Sequence, residues 1–155
     1  QLMEWHPVRP GDFFYIPAGT VHAIGAGIGL IEVQQTSDIT YRLFDYGRPR
    51  ELHLDQGIAV ALGERYADPR RRSLGPAGSC TLVEGPLFRL DRIEGEPAAA
   101  VAARYRGPLL AIPLAGAVRV AGERIEPGQC ALADDIGRIG FAAGGQCLVT
   151  QPCGS

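Results

Sequence analysis

Lysine and asparagine are missing from this 155-residue chain, and all 15 of its basic residues are arginine. Without an ε-amino group the chain has no Schiff-base former and no lysine general base, so any positive charge that acts on a substrate is a guanidinium that stays protonated. A surplus of charge is lacking too. The 15 basic and 17 acidic residues leave a formal net charge of −2, which gives no broad positive field for nucleic acid or an anionic membrane. Apolar runs are interrupted by Gly or Pro within a few residues, far short of the ~20 a membrane helix needs. A signal-peptide pattern is also absent, and Gln1 opens directly on structured-looking sequence, as expected of a chain entered midway. The four cysteines, Cys80, Cys130, Cys147 and Cys153, are spaced 50, 17 and 6 residues apart. That spacing matches neither zinc knuckles nor a dense disulfide framework, and it reads as buried, reduced thiols in a cytoplasmic protein.

What the chain has in abundance is Gly (21) and Pro (12), residues that resist long helices and favour strands joined by turns. Between 8 and 44, short β-rich runs alternate with turn residues, which predicts four strands. Residues 52–62 suit a short helix or a mixed connector. The Gly-, Pro- and Arg-rich stretch 63–79 reads as a linker, dividing the chain into 1–62 and 80–155. The second part predicts strands at 80–84, 88–93, 101–105, 109–114, 117–120, 130–133 and 146–150, with 98–103 a helical turn as the alternative for the third. An internal echo joins the parts: Val8-Arg9-Pro10-Gly11-Asp12 and Ile125-Glu126-Pro127-Gly128-Gln129 each place a Pro-Gly turn before an apolar strand. The fold class is all-β, of compact antiparallel barrels or double-sheet jelly rolls.

From Gly11 to His22 the spacing is G-x5-P-x-G-x2-H. It resembles the second motif of the cupin superfamily, whose Pro-x-Gly turn ends one strand before the next carries a metal-binding His into the barrel mouth. By itself, one His on a strand is more often a structural residue than a ligand, and the surrounding spacing reverses that preference. The Asn that usually follows four positions later is Ala26 here. The second part shows Asp134-Asp135-Ile136-Gly137-Arg138 at the corresponding place, without a histidine.

A longer string is more specific. Pro10-Gly11-Asp12-Phe13-Phe14-Tyr15-Ile16-Pro17-Ala18-Gly19-Thr20-Val21-His22-Ala23, followed by Ile31-Glu32-Val33-Gln34-Gln35-Thr36-Ser37-Asp38-Ile39-Thr40-Tyr41-Arg42-Leu43-Phe44-Asp45-Tyr46-Gly47-Arg48, resembles the C-terminal part of the catalytic cupin of type I mannose-6-phosphate isomerases in their short bacterial form. The resemblance implies cupin-type jelly-roll barrels: the end of a catalytic cupin in 1–62, the linker 63–79, and a smaller metal-free cupin in 80–155. It also implies a sugar-phosphate substrate and one Zn2+ per catalytic site, with His22 as a zinc ligand and Arg42 as the active-site arginine. Aldose–ketose isomerisation removes a proton α to a carbonyl through an enediol, so it needs a Lewis acid, a base, and positive charge near the developing oxyanion.

Asp38 is a candidate acid/base or orienter of Arg42, with a plain turn carboxylate as the alternative. Thr40, Arg42 and Phe44 share a strand face, so Arg42 points either inward or to solvent. Glu32 and Gln34 share another, which either lines the substrate pocket or faces solvent. Arg48, with Arg50, is a candidate for attracting the sugar phosphate, or else solvated charge. Arg70-Arg71-Arg72 reads as linker, and His6 and His53 lack ligand spacing. The family's zinc site also needs a Gln/His-x-His pair and a Glu upstream of the motif, and none precedes Gly11. The expectation is therefore a portion of a longer isomerase whose remaining zinc ligands lie upstream. A non-catalytic sugar-binding or assembly cupin and an iron-dependent cupin oxygenase are the competing readings. A homo-oligomer is left open.

Overall fold

The computed structural model describes residues 3–37 and 39–153, and the backbone contacts divide the chain into two compact units, Gln1–Phe13 with Arg72–Ser155, and Phe14–Arg71. The first unit is mostly β. Its five-stranded antiparallel sheet runs in the order β3-β4-β10-β5-β8, from β3 (Cys80–Glu84), β4 (Phe88–Glu94), β5 (Leu109–Ala115), β8 (Ala131–Ala133) and β10 (Gln146–Pro152). A three-stranded sheet, β7-β6-β9, is built from β6 (Val118–Val120), β7 (Glu123–Ile125) and β9 (Ile139–Gly140), and β1 (Asp12–Phe13) pairs with β2 (Arg72–Ser73).

Alternation along the strands sets the core. Ile93, Leu109, Ala111, Ala133, Cys147 and Val149 from the larger sheet meet Val118, Val120 and Ile139 from the smaller one, with Tyr105 and Ile136 between. No strand pairing joins the two sheets among the described residues, so they pack over a shared core without closing into the expected barrel. Burial pushes the Cys147 thiol up to about 11. It is the cysteine that fits the buried-thiol expectation, because Cys80 and Cys153 are half-buried and Cys130 is exposed; all four are free. Of the two readings for this stretch, strand 101–105 or a helical turn at 98–103, the helical turn is the one that forms, as α2 (Ala99–Ala102), where a run of alanines favours helix. Among the described residues, no helix is long and apolar enough to cross a membrane.

The echo between the two Pro-Gly turns is exact in its hydrogen bonding. Gly11 and Gly128 have φ of +90° and +92°, which suits the third position of a type II turn. The Asp12 N–H donates to Arg9 O and the Gln129 N–H to Glu126 O, both at 3.0 Å. The side chains of Asp12 and Gln129 in turn accept from the N–H groups of Arg9 and Glu126, both at 2.9 Å. The turns differ in their surroundings. A Cβ on Gly11 would lie 2.9 Å from the carbonyl oxygen of Leu74, whereas one on Gly128 would meet nothing within 4 Å. Gly128→Ala is therefore expected to cost about 1 kcal/mol for its left-handed backbone. Gly11→Ala, which adds a backbone clash, is expected to cost about 2 kcal/mol or more. Urea denaturation of the two variants checks the order, and equal losses would refute it.

Residues 75–78 are held down. The Arg92 side chain, only 6% exposed, donates to the carbonyls of Gly75 (2.7 Å), Ala77 (3.0 Å) and Gly78 (3.0 Å).

Among the described residues the four strands expected between 8 and 44 are not formed; the two residues of β1, assigned to the first unit, are the regular β-structure described in that stretch. The physical reason is the lack of ladder partners, since β-propensity makes a strand only against a neighbouring strand. Val21, Ile24, Leu30 and Ile31 stay exposed, and Ile39 is 67% exposed. The regular element described in the second unit is α1 (Leu54–Val60), on the segment read as helix or connector. Its Gly57 is buried against Leu43.

Candidate functional site

The candidate residues lie in the second unit, and local turns place them. Pro17 O accepts from the Thr20 N–H at 3.2 Å across the Pro-x-Gly turn, while Gly19 (φ +83°) accepts from the Leu62 N–H at 2.8 Å. A Cβ at Gly19 would stand 3.0 Å from Val60 O and 2.9 Å from the Leu62 side chain, so the motif glycine is required by both backbone sign and space.

Two residues on, His22 is exposed and its Nδ1 lies 2.9 Å from Thr20 O. A carbonyl can only accept, so Nδ1 carries the proton and the Nε2 lone pair is available to a metal. Among the described residues no three His, Cys, Asp or Glu side chains are grouped to hold a metal ion. Among the described residues His22 thus belongs to no three-ligand group, which is short of the set a tightly bound zinc needs.

Arg42 is half-buried and anchored through its backbone. Its N–H donates to His53 Nδ1 at 3.2 Å and its carbonyl accepts from the His53 N–H at 2.8 Å. The guanidinium donates through Nη1 to Glu51 O at 3.2 Å. His53, which has no ligand spacing in the sequence, thus holds Arg42 in place, with its ring 6.0 Å from that of Tyr41.

The densest electrostatic cluster is centred on a residue that the sequence reading did not single out. Asp45 is buried at 5% exposure. Its carboxylate accepts both Nε and Nη2 of Arg50, and Arg48 Nη2 lies 2.7 Å from Oδ1. Hydrogen bonding from Arg50 holds the Asp45 carboxyl below its usual range; the charges of Arg48, Arg50 and Arg42 add to this and burial opposes it. The same bond raises the pKa of Arg50. Arg48 and Arg50 are therefore gathered about one carboxylate. Glu32 and Gln34 are exposed and, with His22, share no hydrogen bond or ion pair with either arginine among the described residues. Asp38 lies outside the described residues. Farther along, Arg70 stacks 3.4 Å over the Tyr15 ring and pairs with Asp68, and Arg71 lies 4.9 Å over Phe14.

The signals that would have found the two missed residues are modest: an Asp just ahead of two arginines in Asp45-Tyr46-Gly47-Arg48-Pro49-Arg50, and a His eleven positions after Arg42.

No family model matches the chain. It is similar to the mannose-6-phosphate isomerase of Streptococcus mutans, with 45% identity over 56% of this chain and 30% of that protein. The mannose-6-phosphate isomerase ManA of Bacillus subtilis is 42% identical over 59% of this chain and 32% of its own length. The probable mannose-6-phosphate isomerase GmuF of the same organism is 32% identical over 81% of this chain and 42% of its own length. The chain thus spans about a third of the curated relatives it matches. Among solved structures, Rhodobacter sphaeroides SigE in complex with the anti-sigma ChrR aligns over 68% of this chain and 70% of its own, at 21% identity and a TM-score of 0.32.

Proposed function

We propose that this chain, homologous to mannose-6-phosphate isomerases over 56–81% of its length, is the C-terminal portion of such an enzyme, interconverting D-mannose 6-phosphate and D-fructose 6-phosphate. The observation that carries the reading is the pairing of Arg48 and Arg50 with Asp45, three residues beyond Arg42 and inside the segment that resembles the catalytic cupin. In this reading residues 1–62 end a catalytic cupin-type barrel, 63–79 link it onward, and 80–155 form a smaller cupin without metal.

Arg42 places positive charge where the enediol's oxygen develops negative charge, which is the electrostatic need of the reaction. Its backbone anchor on His53 fixes where that charge sits. Asp38 moves the proton or orients Arg42. Glu32 and Gln34 line the sugar pocket, and Arg48 takes the phosphoryl group. His22 offers Nε2 to a zinc ion whose other ligands come from the portion of the enzyme that this chain does not span. When bound, zinc polarises the sugar's carbonyl and hydroxyl oxygens. The exposed apolar residues at 21–39 favour the same reading, since extended segments without ladder partners are completed by strands from that remaining portion. Soluble, cytosolic sugar metabolism and association of copies belong to this proposal as well.

A non-catalytic sugar-binding module is the competing reading, favoured by the want of a three-ligand group among the described residues. Turnover separates the two. The protein completed by the remaining portion is expected to convert mannose 6-phosphate to fructose 6-phosphate and to retain about one zinc per chain after dialysis. The 155-residue chain alone is expected to hold zinc only weakly and to turn over negligibly. A completed protein that binds mannose 6-phosphate without converting it would overturn the enzyme reading, and full turnover by the chain alone would overturn the shared zinc site.

A further inference from the structure

Asp45 stands at the head of a turn built in an unusual way. Tyr46 (φ +53°) and Gly47 (φ +76°) are both left-handed, and the Arg48 N–H returns to Asp45 O at 3.0 Å. That is the pattern of a type I′ turn, in which a tyrosine at the first central position carries a backbone cost that glycine or asparagine would avoid. The strained turn brings Arg48 back onto the residue that begins it. Arg48 then approaches Asp45 twice, through Nη2 to Oδ1 at 2.7 Å and through Nε to the backbone oxygen at 3.4 Å, while Arg50 forks onto both carboxylate oxygens.

The side chains of Arg48 and Arg50 are 60% and 48% exposed. A guanidinium has five N–H donors, so each keeps donors free on the side away from Asp45. One carboxylate serves two guanidinia here. Such an arrangement holds two planar forks in fixed orientation with positive charge left over, as a receptor for a pair of anionic oxygens requires.

We infer that Asp45 is a positioning residue that holds Arg48 and Arg50 as a two-armed receptor for a phosphate monoester. The inference rests on the proposed reading for its substrate, a sugar 6-phosphate, and deepens it, because Asp45 acts only through the arginines and does not touch the ligand.

The sign of one substitution distinguishes positioning from simple charge balance. Asp45→Asn adds one unit of positive charge. If the carboxylate only neutralised its neighbours, phosphate would bind the variant more tightly; if it positions them, binding weakens. Titration calorimetry of the 155-residue chain with inorganic phosphate, mannose 6-phosphate and mannose is expected to show binding of the two phosphates and none of mannose. Asp45→Asn is expected to weaken both phosphates about tenfold, consistent with loss of a hydrogen bond to a charged group. Arg48→Gln is expected to give a similar loss, and the double variant no more than either single one. Equal or tighter phosphate binding by Asp45→Asn would overturn the inference. Should that variant fail to fold, judged by near-ultraviolet circular dichroism, Arg48→Gln and Arg50→Gln decide, and unchanged phosphate affinity in both would overturn it. In the completed enzyme, Asp45→Asn is expected to raise KM for mannose 6-phosphate while kcat stays within about twofold. Phosphate binding that depends on Asp45 in a completed protein without isomerase turnover would remove the proposed function and leave the receptor standing. Turnover with a KM indifferent to Asp45 would do the reverse.

Discussion

Alanine at position 42 is expected, on the isomerase reading proposed above, to lower kcat of the completed protein by about 10²- to 10³-fold while leaving its melting temperature within a degree or two. The first figure is the ordinary effect of deleting one preorganised group that stabilises a developing oxyanion. The second follows from the anchor. Arg42 is held by its own N–H and carbonyl against His53, and those bonds do not depend on the side chain that is removed. The guanidinium itself makes one bond to the protein, to Glu51 O. Arg42→Lys keeps the charge but loses the planar fork, so it is expected to fall between the two. Steady-state assay with mannose 6-phosphate, paired with thermal unfolding, provides both readings. Turnover within about threefold of the unsubstituted enzyme would remove Arg42 from the chemistry.

The largest stability effect is expected in the first unit, at Asp91. This residue is 1% exposed, and its carboxylate accepts from Thr81 Oγ1, Arg104 Nη2 and the Tyr105 hydroxyl, each at 2.6 Å. The Tyr105 hydroxyl also lies 3.0 Å from Val149 O, and Arg104 Nη1 reaches Glu84 at 3.0 Å. Burial, with the bond to Asp91 next, raises the tyrosine pKa well above its usual value, so its proton stays in place as a donor. Asp91→Ala would leave a guanidinium three-quarters withdrawn from solvent and a buried hydroxyl without their main acceptor. Breaking one side of such a pair costs about 3–5 kcal/mol, enough to unfold a marginal domain. Tyr105→Phe, which removes one donor and leaves the carboxylate with two, is expected to cost about 1–2 kcal/mol. Urea denaturation followed by tryptophan-independent far-ultraviolet circular dichroism measures both. An Asp91→Ala loss below about 1 kcal/mol would show the network to be dispensable.

How much of this was legible in the sequence depends on whether the interactions are local. The strands predicted at 80–84, 88–93, 109–114, 117–120 and 146–150 are all present because apolar alternation and Gly or Pro turns are properties of the segment itself. β7, Glu123-Arg124-Ile125, was hidden because two of its three residues are charged and exposed. Residues 14–46 have the same β-rich texture as the strands that formed, yet a ladder needs a partner and texture does not say whether one is present. The candidate site divides in the same way. His22 and Arg42 are visible through motif spacing. Asp45 and His53 are not, since one acts by gripping side chains and the other by bonding a backbone eleven positions away.

The order β3-β4-β10-β5-β8 has a consequence for the birth of the protein. β10, the most C-terminal of the strands in this sheet, lies at its centre, paired on one side with β4 and on the other with β5. While the chain is emerging from the ribosome, β4 and β5 therefore carry bare edges that have no means of pairing with each other through the native register. The sheet closes only when Gln146–Pro152 has cleared the exit tunnel, so this unit folds after translation of its whole length rather than strand by strand, with its open edges exposed to aggregation in the interval.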